Sequence, residues 1–174
     1  MLRLAALVGA ALALTGCFSS QEELIGYWAA QRPLEAGTWT HTPTHPDGTE
    51  WDYATWRGSV DIRRARYVSQ DENFPHDGAR FRRLSGDVHI VQWARQDGVG
   101  YGVAWTYQDG AVLSYHQPDC ADLPEAARQE TGVSPDGEGF CRIDTLDQLE
   151  AVMRAYLDAL GETIRVDGVY RRVG

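Results

Sequence analysis

The chain contains no lysine, so its 16 basic residues are all arginine, and they are outnumbered by 25 acidic residues. The formal net charge is −9. A surplus of negative charge repels phosphate backbones and anionic lipid headgroups. The composition therefore excludes a nucleic-acid partner and electrostatic adhesion to a membrane.

A long hydrophobic run is also missing. The longest apolar stretch extends from Leu4 to Leu14, and a membrane-spanning helix needs roughly 20 apolar residues. We therefore expect no transmembrane helix, and any attachment to a membrane must have another cause.

Familiar catalytic and cofactor motifs are absent as well. No Gly-x-Ser-x-Gly or Cys-x-x-Cys motif occurs. His41 and His45 have metal-like spacing, but Pro43 between them opposes a helix that would place both on one face, and no cysteine is near. We interpret the histidines as surface-loop residues and predict no metal, no cofactor and no assignable catalytic residue. The five are His41, His45, His76, His89 and His116.

The N-terminus carries the most specific motif. Arg3 precedes the apolar stretch, which ends in Leu14-Thr15-Gly16-Cys17. This arrangement resembles a bacterial lipoprotein signal with its lipobox. The resemblance implies cleavage before Cys17, a diacylglyceryl group on its thiol and an acylated new amine. Several acyl chains, at about 0.8 kcal/mol per buried methylene, give stable anchoring.

The same resemblance predicts domains and location. Residues 1–16 are the signal peptide, and residues 17–174 form a single lipid-anchored β-rich domain. Its formal charge is −10, from 15 Arg and 25 acids. Phe18 rather than Asp follows the lipidated residue, which resembles an outer-membrane address in Gram-negative bacteria. We expect a cell-envelope protein facing the periplasm, with the membrane as partner through Cys17.

Two cysteines remain after lipidation. Export to an oxidising compartment favours a disulfide between Cys120 and Cys141. A loop of about 20 residues gives roughly 3 kcal/mol in the chain-entropy account. The alternative is a thiol pair that serves a metal or redox site.

Asp-Gly pairs, typical of hairpin turns, occur six times. Turns at Asp97-Gly98 and Asp109-Gly110 predict a three-strand meander over about 87–117. The first turn sets Trp93 opposite Gly102, and the second sets Tyr107 opposite Val112. One face then collects the large side chains Val88, Ile90, Tyr101, Val103, Trp105, Tyr107 and Val112.

Other elements follow from turns and periodicity. A third hairpin at Asp47-Gly48 would set Trp39 opposite Trp56. We expect strands over 58–69, around Phe81 and Leu84, and over 163–173, with short helices over 21–30 and 121–131.

The clearest helix is C-terminal. Thr145 and Gln148 form a capping box, apolar residues recur from Leu146 to Leu160 at helical spacing, and Gly161 ends the helix. We expect this stripe to pack on the aromatic face of the meander. The predicted fold is mainly β, an α+β antiparallel meander, open or barrel-like, with a packed C-terminal helix.

Large aromatic residues are candidates for ligand binding. We name Trp39, Trp56, Trp93, Trp105 and Tyr107 as the candidate ligand-binding residues, which could line a cavity or stack on sugars. The alternative is that they form the core of the sheet.

Gly26-Tyr27-Trp28 resembles the Gly-x-Trp signature of lipocalins, which are antiparallel barrels that hold apolar ligands. The following strands, the helix and the last strand are similar in order, and Arg142 lies where the family's Arg packs on that Trp. Pro33 interrupts the first strand, and the other lipocalin signatures are missing. The alternative fold is therefore a lipocalin-like barrel.

Three functions remain open. The first is a non-enzymatic binding or envelope-associated lipoprotein, whose partner is an apolar ligand or an envelope component. The second is a lipocalin-like carrier of an apolar molecule. The third is an envelope polysaccharide hydrolase. An apolar cavity in a closed barrel favours the carrier, exposed coplanar tryptophans favour sugar binding, and a carboxylate pair in a cleft favours the hydrolase.

Overall fold

The computed structural model describes residues 17–161 and 163–173. The expected signal peptide over residues 1–16 lies outside the described residues. The described strands are β1 Phe18–Ser20, β2 Gly37–Pro43, β3 Trp56–Arg63, β4 Arg66–Ser69, β5 Arg80–Ser85, β6 Val88–Arg95, β7 Gly98–Tyr107, β8 Val112–His116, β9 Cys141–Arg142 and β10 Gly168–Val173. The α-helices are α1 Glu125–Thr131 and α2 Leu146–Leu160, and Cys120–Asp122 forms one 3₁₀ turn.

All ten strands join one sheet. Its main order is β4-β3-β2-β10-β8-β7, and β6 and β5 continue from β7. Since β6 pairs along nearly the whole of one edge of β7, β1 and β8 share the other edge. The β1–β9 pair is parallel, whereas the other ladders are antiparallel.

The sheet is curved but open, which confirms the mainly β, open-sheet expectation. Its end strands approach each other at one point, where Tyr67 of β4 bridges Ala79 just before β5. Within the described residues the ladders do not close into a barrel, so the lipocalin-like alternative is not the fold observed. Trp28 of the Gly-x-Trp motif is 94% exposed.

The meander over 87–117 is confirmed, with one shift of register. Tyr107 pairs with Val112, as predicted. Trp93 pairs with Gly100 rather than Gly102, because the turn is Gln96-Asp97 and Gly98 already belongs to β7. A slip of two residues keeps each side chain on its predicted face.

Two other hairpins differ from expectation. Trp39 pairs with Gly58 rather than Trp56, again a slip of two residues. The single strand expected over 58–69 is wrong, because Arg64 and Ala65, with φ of 50° and 59°, form a tight turn between β3 and β4. Neither residue is among those that commonly signal such a turn.

Three boundary predictions also change. The segment 21–30 contains no helix, because the Ser20 hydroxyl bonds the Glu22 carbonyl instead of capping. The expected helix over 121–131 is the 3₁₀ turn followed by α1. The last strand begins at Gly168 rather than Thr163.

The C-terminal helix is confirmed. The Thr145 hydroxyl accepts a hydrogen bond from the Gln148 N–H at 3.1 Å, and the Gly161 N–H closes the last turn on Leu157. The buried face of α2 packs on the meander face that holds Ile90, Tyr101 and Val103. Its buried residues are Leu149, Val152, Met153 and Tyr156. Tyr107, at 43% exposure, lies outside this contact.

The predicted disulfide between Cys120 and Cys141 is present, with their Cα atoms 5.4 Å apart. Both cysteines are fully buried in the helix-side core. The disulfide therefore links the 3₁₀ turn to β9, which pairs with the N-terminal strand β1. None of the described helices is long and apolar enough to cross a membrane.

Candidate functional site

The concave face of the curved sheet encloses an aromatic pocket. Of the five candidate ligand-binding residues, Trp39 lines this pocket, whereas Trp56 and Trp93 belong to the buried aromatic core around it. Each of the three is less than 10% exposed. Trp105 is on the other face beside the helix, and Tyr107 is at the far end of β7. Three of the five candidate residues thus pack in one core, and the other two lie elsewhere.

The remaining space in this pocket is small. A cavity of about 30 Å³ has walls that are almost entirely apolar, with Trp39, Phe81 and Leu113 among the lining residues. That volume accommodates about two water molecules. The three tryptophans are buried and do not form an exposed stacking platform for sugars.

Histidines and tyrosines form a hydrogen-bonded cluster at the edge of the pocket. His41 Nε2 bonds the Tyr115 hydroxyl at 2.9 Å, and His76 Nδ1 bonds the Tyr170 hydroxyl at 2.8 Å. The ring centroids of His76 and Trp93 are 5.3 Å apart. These bonds satisfy polar groups that would otherwise be costly to bury.

Burial keeps these histidines neutral. Desolvation lowers the pKa of His41 to about 4 and, together with the charge of His41, lowers the pKa of His76 to about 4. Desolvation also raises the pKa of Tyr115 and Tyr170, with a further contribution to Tyr115 from Asp167 and to Tyr170 from Tyr115. The cluster is therefore uncharged near neutral pH.

The surface-loop interpretation of the histidines is wrong for three of them. His41, His89 and His116 lie in β2, β6 and β8 and are 5%, 1% and 8% exposed. In β2, His41 follows Trp39 by two residues and so shares its face of the strand, which is a signal that could have indicated burial. His45 is exposed in a loop, and His76 is half-buried in a loop. Within residues 17–161 and 163–173, no cluster of His, Cys, Asp or Glu is arranged to hold a metal.

A second concavity is open and polar. This acidic cleft, of about 860 Å³, lies between the 44–48 loop and the 164–167 segment, and Asp119, Asp167 and His116 line it. His116 Nδ1 lies 3.1 Å from Asp167 Oδ1, and the Gln117 N–H donates to Asp167 Oδ2 at 2.7 Å. Sequence spacing could not reveal the cleft, because 48 residues separate the two aspartates.

The two aspartates of the cleft differ in acidity. Burial, followed by the charge of Asp122, raises the pKa of Asp119. Burial also acts to raise the pKa of Asp167, but the hydrogen bonds from His116 and Gln117 outweigh it and lower that pKa. The Arg165 guanidinium bonds Asp122 at 2.7 Å beside them. One carboxyl is thus easier to protonate than the other.

Cys17 lies where the described chain begins and continues directly into β1. It is half-buried, and among the three cysteines, all of which are described, it is the free one. The Cys17 carbonyl accepts a hydrogen bond from the Cys141 N–H at 3.2 Å. The Cys17 backbone also forms an isolated antiparallel β-bridge with Asp119. Burial, followed by the Asp119 charge, raises the pKa of its thiol.

Comparison with known proteins does not add a family. No protein-family model matches the chain, and neither a curated protein nor a solved structure is significantly similar to it.

Proposed function

We propose that this chain is a lipid-anchored lipoprotein of the bacterial cell envelope, and that its folded domain is a non-enzymatic binding module. The observation that carries the proposal is the lipobox Leu14-Thr15-Gly16-Cys17 followed at once by a folded strand. Pairing of Cys120 with Cys141 leaves Cys17 as the free thiol, which is consistent with its use for a lipid.

The anchor is tested by Cys17→Ser in the full-length chain, expressed in a Gram-negative host. We expect the native chain to gain the mass of an acylated Cys17 and to enter the membrane fraction, and the variant to do neither. The variant Cys120→Ala/Cys141→Ala, which keeps Cys17, is the control for altered folding and should still be lipidated. A Cys17→Ser protein that is processed and membrane-bound as before would contradict the proposal.

The location is proposed to be the outer membrane, with the domain in the periplasm. Phe18, the residue expected to carry this address, is fully buried in the helix-side core. Replacing Phe18 would change both the folding of the domain and the choice of membrane, so the two effects could not be separated. Density-gradient separation of the two membranes with the native chain is therefore the cleaner measurement, and recovery in the inner membrane contradicts the address.

The aromatic pocket is the proposed ligand site of this module. Its apolar walls favour a compact apolar group over a charged or sugar ligand, because a buried polar group without partners loses hydration. A cavity of about 30 Å³ gives a lipid carrier no support in this conformation.

Xenon under pressure is a suitable probe, since apolar cavities stay dry and take up such atoms, and the pocket has to widen slightly to admit one. We expect saturable xenon shifts in the nuclear magnetic resonance spectrum of residues that line the pocket, such as Val91 and Leu113. Leu113→Phe, which fills the cavity, should abolish the shifts, whereas Leu157→Phe on the half-buried side of α2 should keep them. Shifts spread evenly over both cores would argue against a specific site.

The acidic cleft favours a second candidate function, hydrolysis of an envelope polysaccharide. Such enzymes pair a protonated with an ionised carboxyl across a cleft. The pKa of Asp119 is raised and that of Asp167 is lowered, which matches the two roles. The test is release of reducing ends from peptidoglycan and other envelope glycans by the native protein and by Asp119→Asn and Asp167→Asn. Activity lost in both, but kept in Asp47→Asn at the cleft rim, supports this candidate. An inactive native protein removes it.

A further inference from the structure

We infer that the lipid anchor fixes the orientation of the domain, so that one defined surface lies on the bilayer. This inference rests on the proposed lipidation of Cys17. The surface, which we call the anchor face, consists of Cys17, Arg95, Gln96, Gln117 and Phe140. The occupant is the headgroup layer of the membrane that holds the acyl chains.

No flexible segment separates the attachment point at Cys17 from the folded sheet. Phe18, the residue after Cys17, is 0% exposed and pairs with Cys141, while Ser19 pairs with Gly100 of β7. The Cys17 carbonyl is itself bonded to the Cys141 N–H. A flexible tether would let the domain rotate above the membrane. Here a lipid on the thiol would join the rigid sheet directly.

The side chains around the Cys17 thiol suit contact with lipid headgroups. Burial raises the pKa of the Cys17 thiol, whereas the nearby side chains of Arg95 and Gln117 act to lower it. The Arg95 guanidinium lies 5.4 Å from the centroid of the Phe140 ring, and both residues are half-buried. Arginine binds phosphate well, and an aromatic ring suits the boundary between headgroups and acyl chains. Arg95 also contacts Asp97 at 3.4 Å, and because Asp97 is exposed this ion pair can open toward lipid.

The anchor face adjoins the edge of the aromatic pocket. A Cβ added to Gly100 would lie 2.9 Å from Arg95 Cδ and 3.1 Å from the Trp93 ring, so these two side chains lie together over that glycine. Trp93 in turn contacts His76 at the pocket edge. The pocket edge is therefore next to the anchor face.

The opposite end of β7 provides a natural reference. Arg95 pairs with Gly98 at the start of β7, and Tyr107 ends the strand nine residues later. At about 3.3 Å per residue the two ends are roughly 30 Å apart. Tyr107 is 43% exposed, so a probe there reports accessibility without proximity to the anchor.

The experiment uses the full, lipidated chain in vesicles of phosphatidylethanolamine with a minor share of phosphatidylglycerol. The photo-crosslinking residue p-benzoylphenylalanine replaces Gln96, Phe140 or Tyr107 in separate proteins, and mass spectrometry measures phospholipid adducts. We expect several-fold more adduct at positions 96 and 140 than at 107. Gln96 is exposed, so that probe remains informative if the change at Phe140 disturbs folding.

A matched variant tests the role of the missing tether. Insertion of about twelve Gly and Ser residues between Cys17 and Phe18 adds a mean reach of about 20 Å and should keep the lipid while lowering the adduct at 96 and 140 to the level at 107. Equal adducts at all three positions in the native chain, with a lipid mass on Cys17, would overturn the orientation alone. If the protein with the linker still forms more phospholipid adduct at positions 96 and 140 than at 107, the short attachment at Cys17 does not cause the orientation. Absence of any lipid mass on Cys17 would overturn the proposed function as well.

Discussion

The two faces of the sheet are packed in different ways. The helix-side core is mostly aliphatic and includes Ile90, Leu149, Val152 and Met153, with the disulfide at its edge. The concave core is aromatic, with three tryptophans and the histidine–tyrosine cluster. Aliphatic packing gains stability from area and close fit alone, whereas the concave core also depends on keeping two histidines neutral. One sheet thus carries a mostly aliphatic core on one face and, on the other, an aromatic core whose stability depends on two neutral histidines.

The largest expected effect is on the helix side. Met153 is 0% exposed, and Met153→Ala should lower the free energy of unfolding by about 2–5 kcal/mol because it leaves a cavity in a packed core. Urea denaturation followed by tryptophan fluorescence gives the value. Leu157→Ala, on the half-buried flank of the same helix, should cost clearly less. Equal small losses in both variants would mean that α2 contributes little to this core.

The disulfide should matter next, and on the same face. Cys120→Ala/Cys141→Ala should cost about 3 kcal/mol, since the bond closes a loop with a sequence separation of 21 residues. Because Cys141 pairs with β1, we also expect faster hydrogen exchange at the Phe18 and Ser19 amides than at Val103 in the same variant. Uniform acceleration across all three amides would show that the bond acts globally rather than on the N-terminal strand.

Acid should weaken the concave core selectively. The folded-state pKa of His41 and His76 is about 4, below the ordinary value of 6.5, so the unfolded chain binds protons first as the pH falls. Stability is therefore full above pH 6.5 and decreases between pH 6.5 and 4, by about 1.4 kcal/mol per histidine at pH 5.5.

The measurement is the free energy of unfolding at pH 7.5 and pH 5.5. His41→Gln/His76→Gln should be less stable at pH 7.5 but should lose less on acidification than the native protein. His45→Gln, at an exposed loop position, should leave the pH dependence unchanged. An unaltered slope in the double variant would show that other groups cause the acid sensitivity.

The smallest effect concerns close packing at the junction of β7, β8 and the concave core. A Cβ at Gly102 would lie 2.6 Å from the His116 carbonyl oxygen and 3.3 Å from the Trp93 ring. Gly102→Ala should cost about 1–3 kcal/mol, as overpacking does, because the clash is with backbone that cannot turn aside. Gly137→Ala, where nothing lies within 4 Å, is the control and should change thermal stability little.

The sequence predicted the helix-side core more fully than the concave one. Apolar residues recur at helical spacing in α2, and large side chains alternate along β6 and β7. Each pattern is visible within a single stretch of sequence. The predicted face of each side chain was correct even though the register at Asp97-Gly98 was wrong, because a shift of two residues leaves every side chain on the same face of the sheet. The β3–β4 turn was missed because Arg64 and Ala65 carry no turn chemistry.

By itself, the sequence determined the helix with its cap, the meander and the disulfide between Cys120 and Cys141, and it predicts a lipid anchor at Cys17. These depend on local patterns or on the pairing of the two cysteines left after Cys17 is assigned to the lipid. Only the tertiary structure decided that His41, His76, Tyr115 and Tyr170 meet, that Asp119 and Asp167 share a cleft, and that Cys17 adjoins Arg95. Those contacts join strands far apart in the chain, and their register is set by the fit of side chains on both faces of the sheet at once, which no single segment records.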